Sequence, residues 1–178
     1  MTSSTPVRRR RTIVVAVAAA ALLAAAGCTS TASAGSSAEP AEVTTYAGGQ
    51  TTFEESFAYD NGLVVEVGKP SAFVPSQSAD GVEGVDGKPV KVRVYIVNGT
   101  SRDYVPNTLE VTVVSDGEDA AQILDPASRI ELTGPGLSLA PGDVAAFDLA
   151  FVVQDPADVT VTLIPSIAGY EPLVFTAA

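Results

Sequence analysis

Val90-Lys91-Val92-Arg93-Val94-Tyr95-Ile96 alternates β-branched apolar residues with charged or amphipathic ones. A period of two places Val90, Val92, Val94 and Ile96 on one face of an extended strand and Lys91, Arg93 and Tyr95 on the other. A helix would scatter the same residues around its axis, so the segment reads as a half-buried strand of an antiparallel sheet. The pattern recurs on both sides. Leu63, Val65 and Val67 alternate with Val64 and Glu66, and Leu109, Val111 and Val113 with Glu110 and Thr112. Phe147, Leu149, Phe151 and Val153 alternate with Ala146, Asp148 and Ala150, and Val159, Val161 and Leu163 with Thr160 and Thr162. Residues 53–59 and 173–176 are two further strands by composition.

The intervals hold turn formers. Asp60-Asn61-Gly62, Asn98-Gly99, Asp116-Gly117 and Pro141-Gly142-Asp143 supply residues that tolerate positive φ. Pro141-Gly142 fits the two central positions of a type II turn. Asp125-Pro126-Ala127-Ser128 suits one short helical turn, with Asp125 as cap and Pro126 in the first position. No stretch past residue 28 carries a long amphipathic helix. About seven short strands over residues 46–178 predict an all-β, antiparallel, immunoglobulin-like β-sandwich.

The first 27 residues have a different character. Arg8-Arg9-Arg10-Arg11 precedes a 14-residue apolar run, Ile13 to Ala26, and then Gly27-Cys28, the chain's single cysteine. At about 1.5 Å per residue the run is too short for a hydrocarbon core of about 30 Å. A basic start, a short apolar region and small residues make a cleavable secretory signal over 1–27. Arg10-Arg11-Thr12-Ile13-Val14 also fits a twin-arginine signal, so either export route is open. The region resembles a bacterial lipoprotein signal peptide, with Ala25 where that pattern usually has leucine and with Leu22 and Leu23 just before. The resemblance implies a diacylglyceryl group on the Cys28 thiol, cleavage before Cys28 and attachment to the outer, extracytoplasmic face of the cell membrane. An ordinary signal that leaves Cys28 free is the alternative. Residues 28–45, rich in Ser, Ala and Thr, lack bulky side chains and form the expected flexible tether.

All 21 acidic residues follow Cys28, with only six of the ten basic ones, so the chain beyond the signal carries a formal charge of −15. Such a surface cannot neutralise phosphates, which excludes nucleic acid as a partner. It also excludes adhesion to anionic lipid through charge, so attachment would come from acyl chains on Cys28. The oligomeric state is not encoded in any feature of this kind.

The order of motifs adds a second resemblance. A strand Asn61-Gly62-Leu63-Val64-Val65-Glu66-Val67 is followed by Val97-Asn98-Gly99-Thr100. An Asp/Gly loop and Leu139-Ala140-Pro141-Gly142-Asp143, running into residues 147–151, complete it. Over residues 46–176 this resembles the domain-of-unknown-function 4352 group of Gram-positive lipoproteins. That resemblance implies an immunoglobulin-like extracytoplasmic domain without established activity, and no site residues.

Catalytic chemistry finds little support. The chain has no histidine, which excludes a Ser-His-Asp triad and His-ligated zinc or copper. Ser-x-x-Lys, Gly-x-Ser-x-Gly and glycine-rich phosphate loops are absent. We therefore expect a protein that is not an enzyme and uses no cofactor. Asp80, Glu83 and Asp86 place three carboxylates in a glycine-rich loop, a candidate calcium site or a solvated hairpin tip. Asp116-Gly117-Glu118-Asp119 is similar. Lys91 and Arg93 form either a landing strip for an acidic partner or cross-strand ion pairs with a neighbour such as Glu110. Asn98-Gly99-Thr100 matches a glycosylation sequon and equally a tight turn. The expected function is a membrane-anchored binding module for a protein or glycan of the envelope. A structural subunit of a membrane complex and a calcium- or small-ligand-binding lipoprotein are the alternatives.

Overall fold

The computed structural model describes residues 44–167 and 169–178. The expected signal segment, Cys28 and nearly all of the expected tether lie outside the described residues. The protein is an immunoglobulin-like β-sandwich of two sheets. In chain order the strands are β1 (Gly49–Thr52), β2 (Ser56–Ala58), β3 (Leu63–Val67), β4 (Ser71–Ala72), β5 (Lys88–Asn98), β6 (Glu110–Ser115), β7 (Glu118–Asp119), β8 (Ala121–Ile123), β9 (Val144–Val153), β10 (Val159–Ile164) and β11 (Leu173–Thr176). One sheet runs β1-β11-β10-β6-β7. The other runs β2-β3-β5-β9-β8, with β4 continuing beside β5 past the end of β3.

The alternation read from the sequence is the alternation that packs. Leu63, Val65, Val67, Val92, Val94, Ile96, Leu149, Phe151, Val161, Leu163, Leu173 and Phe175 are buried and form one core between the sheets. The described residues hold eleven strands where seven were expected, because β4, β7 and β8 have only two or three residues and no period to read, and β1 has no apolar face. The single strand expected over residues 53–59 is divided. Glu54 takes φ +70° and breaks the extension. Phe53 N–H donates to Thr176 O at the end of β11 (3.0 Å), and Glu54 N–H donates to Val67 O at the end of β3 (2.8 Å). The chain thus steps from one sheet to the other between these two residues. β1 pairs β11 in parallel, whereas every other strand pairing is antiparallel.

Ala150 and Val152 show a further departure from expectation. Their face of β9 is not solvated but buried in a second, smaller core with Ile123 and Ile130, against which Phe73, Ala79, Val82 and Ala121 pack. The segments 73–82 and 124–130 lie over this end of the sheet. A 3-10 turn, Pro126–Ser128, follows Asp125 as expected. The Asp125 carboxylate does not cap it through a backbone N–H. It accepts instead from Ser76 N–H (2.7 Å), Ser76 Oγ (2.6 Å) and Ser128 Oγ (2.7 Å), and so ties the two covering segments together.

The turns behave as their residues require. Asp116 and Gly117 both take positive φ, as a two-residue hairpin between β6 and β7 demands. Gly142 has φ +93°, and Asp143 N–H donates to Ala140 O (2.9 Å), closing the Pro-Gly turn. Gly62 is constrained twice over. It has φ +95°, and a Cβ there would lie 2.5 Å from Gly99 O, because the start of β3 and the end of β5 meet backbone to backbone. Gly62→Ala is therefore expected to cost about 1–3 kcal/mol, read as a lower urea midpoint at unchanged slope. Gly117→Ala, where φ is also positive but nothing lies within 4 Å, supplies the comparison that isolates the clash.

Candidate functional site

At the end of the sandwich where the described chain begins, the loops leave a half-open cleft of about 850 Å³. Its walls include Tyr46, Asn61, Arg102, Asp103, Tyr104 and Tyr170, with Thr44, Thr100, Ser101, Thr108 and Ser166 filling the gaps. Four of the five tyrosines gather here. Tyr46 forms a backbone bridge with Tyr170, and their rings lie 5.3 Å apart. Tyr170 packs edge-on against Tyr59 at 5.0 Å, and Tyr59 against Phe57 at 5.1 Å. Pairs of this geometry contribute about 0.5–1.5 kcal/mol each beyond burial.

Each wall is held from behind. Asn61 accepts from Leu63 N–H (3.1 Å) and donates to Tyr170 Oη (2.6 Å), so the Tyr170 hydroxyl keeps its own proton to donate elsewhere. Tyr59 Oη donates to Glu171 O (3.1 Å), and buried Tyr104 donates to Pro165 O (2.9 Å). Burial pushes the phenols of Tyr59, Tyr104 and Tyr170 above their ordinary range, so the cleft presents neutral hydroxyls at physiological pH.

The 98–105 wall hangs on Asn98, which is fully buried. Its Nδ2 donates to Arg102 O and Leu139 O, both at 2.8 Å, and its Oδ1 accepts from Thr100 N–H at 3.1 Å. Asn98-Gly99-Thr100 is thus a structural turn whose amide is consumed internally. Arg102 and Asp103 project from it, exposed and of opposite sign. Asp103 accepts from Ser138 Oγ (3.0 Å), and among the described residues Arg102 makes no ion pair. Chemically the cleft can bind, orient and hydrogen-bond. Among its lining residues it has one carboxylate, Asp103, whose hydroxyl partner Ser138 lies outside the lining.

The sequence candidates lie elsewhere. Asp80 is fixed by paired backbone hydrogen bonds with Leu124 (2.9 and 3.1 Å), and Asp86 O accepts from Gln154 Nε2 (3.1 Å). Asp80, Glu83 and Asp86 are not drawn into a metal-holding group, and no set of three such ligands occurs among the described residues. Asp86 instead borders a hollow of about 310 Å³ with Glu118 and Asp119, which brings the two acidic loops side by side. Lys91 and Arg93 do pair across strands, but with Asp148 at 3.4 and 3.2 Å rather than with Glu110. Glu110 belongs to the other sheet, opposite Ile164, whereas Asp148 lies directly opposite Arg93 on β9. Arg93 also stacks over Tyr95 at 5.8 Å. With the cations about half exposed, each pair contributes about 0–1 kcal/mol.

Sequence reading missed the cleft. Its tyrosines are spread from residue 46 to residue 170, and no spacing announces that they meet. The available signal was Asn61 and Asn98 beside glycine, which marked the loops but not what they surround.

No family model and no curated protein matches the chain. Solved structures that share its fold include the following two. The YjhA protein from Bacillus subtilis superposes with a TM-score of 0.56 at 14% identity, over 71% of this chain and 99% of that one. MPT63, a secreted protein from Mycobacterium tuberculosis, superposes with a TM-score of 0.50 at 14% identity, over 71% of this chain and 95% of that one. At this identity the likeness establishes a shared β-sandwich.

Proposed function

We propose that this chain is an exported lipoprotein, anchored through Cys28 to the outer face of the cell membrane, that acts as a non-enzymatic binding module for an envelope component. The observation that carries the binding part is the end cleft: preformed, and lined by neutral phenols and hydrogen-bonding side chains. Its volume falls in the range of about 300–1,000 Å³ usual for small-molecule sites. Support for the anchor comes from the basic start, the 14-residue apolar run and Gly27-Cys28. Thr44 lines the cleft and is 16 residues after Cys28, so an anchored chain would hold the cleft within about 55 Å of its lipid even when fully extended. The calcium-binding alternative is less favoured, since Asp80, Glu83 and Asp86 are not gathered.

The test pairs the tagged full-length protein with Cys28→Ala in cells fed an alkyne-bearing palmitate analogue. Wild type is expected to take up the label and to sediment with membranes. Cys28→Ala is expected to lose both, with at least about a tenfold fall in the membrane-bound fraction, since a domain of charge −15 has no second means of attachment. Equal sedimentation of the two without label would overturn the anchor. Crosslinking in the same cells reads the partner, expected only with Cys28 intact.

A further inference from the structure

We propose that the end cleft is a saccharide site that takes a neutral oligosaccharide, an assignment that rests on the binding-module reading above. A sugar ring presents an apolar C–H face and a rim of hydroxyls that both donate and accept. The cleft offers the matching pair of surfaces. Tyr46 and Tyr170 are half-buried, with their rings in contact at 5.3 Å, and Val105 adds an apolar wall. Around them stand directional groups with capacity to spare. The Tyr170 hydroxyl accepts from Asn61 and so has a proton to donate. Asp103 uses one carboxylate oxygen on Ser138 and has acceptor sites left, and Arg102 carries five N–H donors. Both acidic and basic partners on a single rim suit hydroxyls, which pair with either.

Charge selects among sugars. Arg102 and Asp103 are adjacent and cancel, while the chain beyond the signal carries −15, so a polyanionic glycan would be repelled and a neutral one would not. Preorganisation also favours a small polar ligand. The 98–105 wall is knotted by Asn98, and Pro165, next to the lining residue Ser166, accepts from both Tyr104 Oη and Thr108 Oγ1 (3.1 Å), so little ordering of these residues remains to be done on binding. A peptide would seek apolar side-chain pockets, and Tyr104, the most buried ring of the lining, has already committed its hydroxyl.

The experiment is a titration of the full-length protein in neutral detergent micelles with cellotetraose and with chitotetraose, read by saturation-transfer NMR and calorimetry. At least one sugar is expected to bind saturably. Tyr170→Phe, which removes only the hydroxyl, and Arg102→Gln, an exposed change, are each expected to weaken it by about fivefold to tenfold, the loss of one hydrogen bond. Arg102→Gln should keep its melting midpoint within about 2 °C of wild type, whereas Tyr170→Phe, which also takes away the acceptor of Asn61, should melt a few degrees lower. Lys91→Gln, on β5 near the strand end remote from the cleft, should leave affinity unchanged. Absence of saturable binding by both sugars would overturn the proposal, as would equal affinity in Tyr170→Phe and Arg102→Gln. Displacement of bound sugar by a neutral Gly/Ser-rich octapeptide at equal concentration would overturn it in favour of peptide binding. The same preparations, carried through membrane fractionation, read the anchor separately: Cys28-dependent attachment without sugar binding would sink the saccharide assignment alone.

Discussion

Phe175→Ala is expected to destabilise the protein by about 3–5 kcal/mol, the range for emptying a fully buried phenylalanine site. Phe175 lies on β11 at 0% exposure, opposite Val161 of β10 and Thr51 of β1. Its ring fills the space between the sheets at the strand that holds β1 in place. Domains of this size have about 5–15 kcal/mol in total. With one cysteine in the chain, no intrachain disulfide offsets the loss. Far-UV circular dichroism through a urea titration checks the result, and the midpoint should fall while the slope stays constant. Phe175→Leu keeps most of the volume and should cost less than about 1.5 kcal/mol. A loss below 1 kcal/mol for the alanine variant would mean that the sheets close over the site, contrary to the close packing described above.

That core was legible from the sequence because one face of each long strand is apolar and the period is two. Leu63–Val67, the centre of β5 and Val159–Leu163 needed nothing more. Three things were not legible, each for a physical reason. β1 reads Gly-Gln-Thr-Thr and has no apolar face to betray it, because its place is fixed by ladder hydrogen bonds to β11. The partner of Lys91 and Arg93 depends on which strand lies beside β5, and β9 reaches that position from about 50 residues away in sequence. The burial of Ala150 and Val152 depends on loops that cover the second face of β9. Phe73, Ala79 and Val82 sit in that cover without periodicity. The cleft belongs to the same class of fact: alternation reports the inside of a sheet and is silent about which loops converge at its end.

Asp125 is where the aperiodic cover is fastened, and Asp125→Asn should show it. The carboxylate is fully buried, and its three donors at 2.6–2.7 Å have the short lengths of charge-assisted hydrogen bonds. Those hydrogen bonds, led by the ones from Ser76, hold its pKa at about 2, below the ordinary 3.8. A carboxyl whose pKa is lowered on folding contributes stability that is fully present above its unfolded pKa and lost as pH falls through its folded pKa. Here that window runs from about pH 4 down to about pH 2. The asparagine amide keeps the shape but turns an N–H₂ toward groups that are themselves donors. At pH 7 the variant is expected to melt about 10 °C below wild type. Because the amide does not titrate, the gap should narrow as pH falls from about 4 to about 2, seen in parallel thermal melts across that range. Hydrogen exchange adds the location: backbone amides of segments 73–82 and 124–130 should exchange faster, while those of β3, β5 and β10 keep their protection. A gap that stays constant down to pH 2 would mean that the charge contributes nothing and the serines serve only to fill space. A narrowing gap with faster exchange confined to the two covering segments would identify Asp125 as the ionic clasp that holds an irregular lid of chain over a regular sheet.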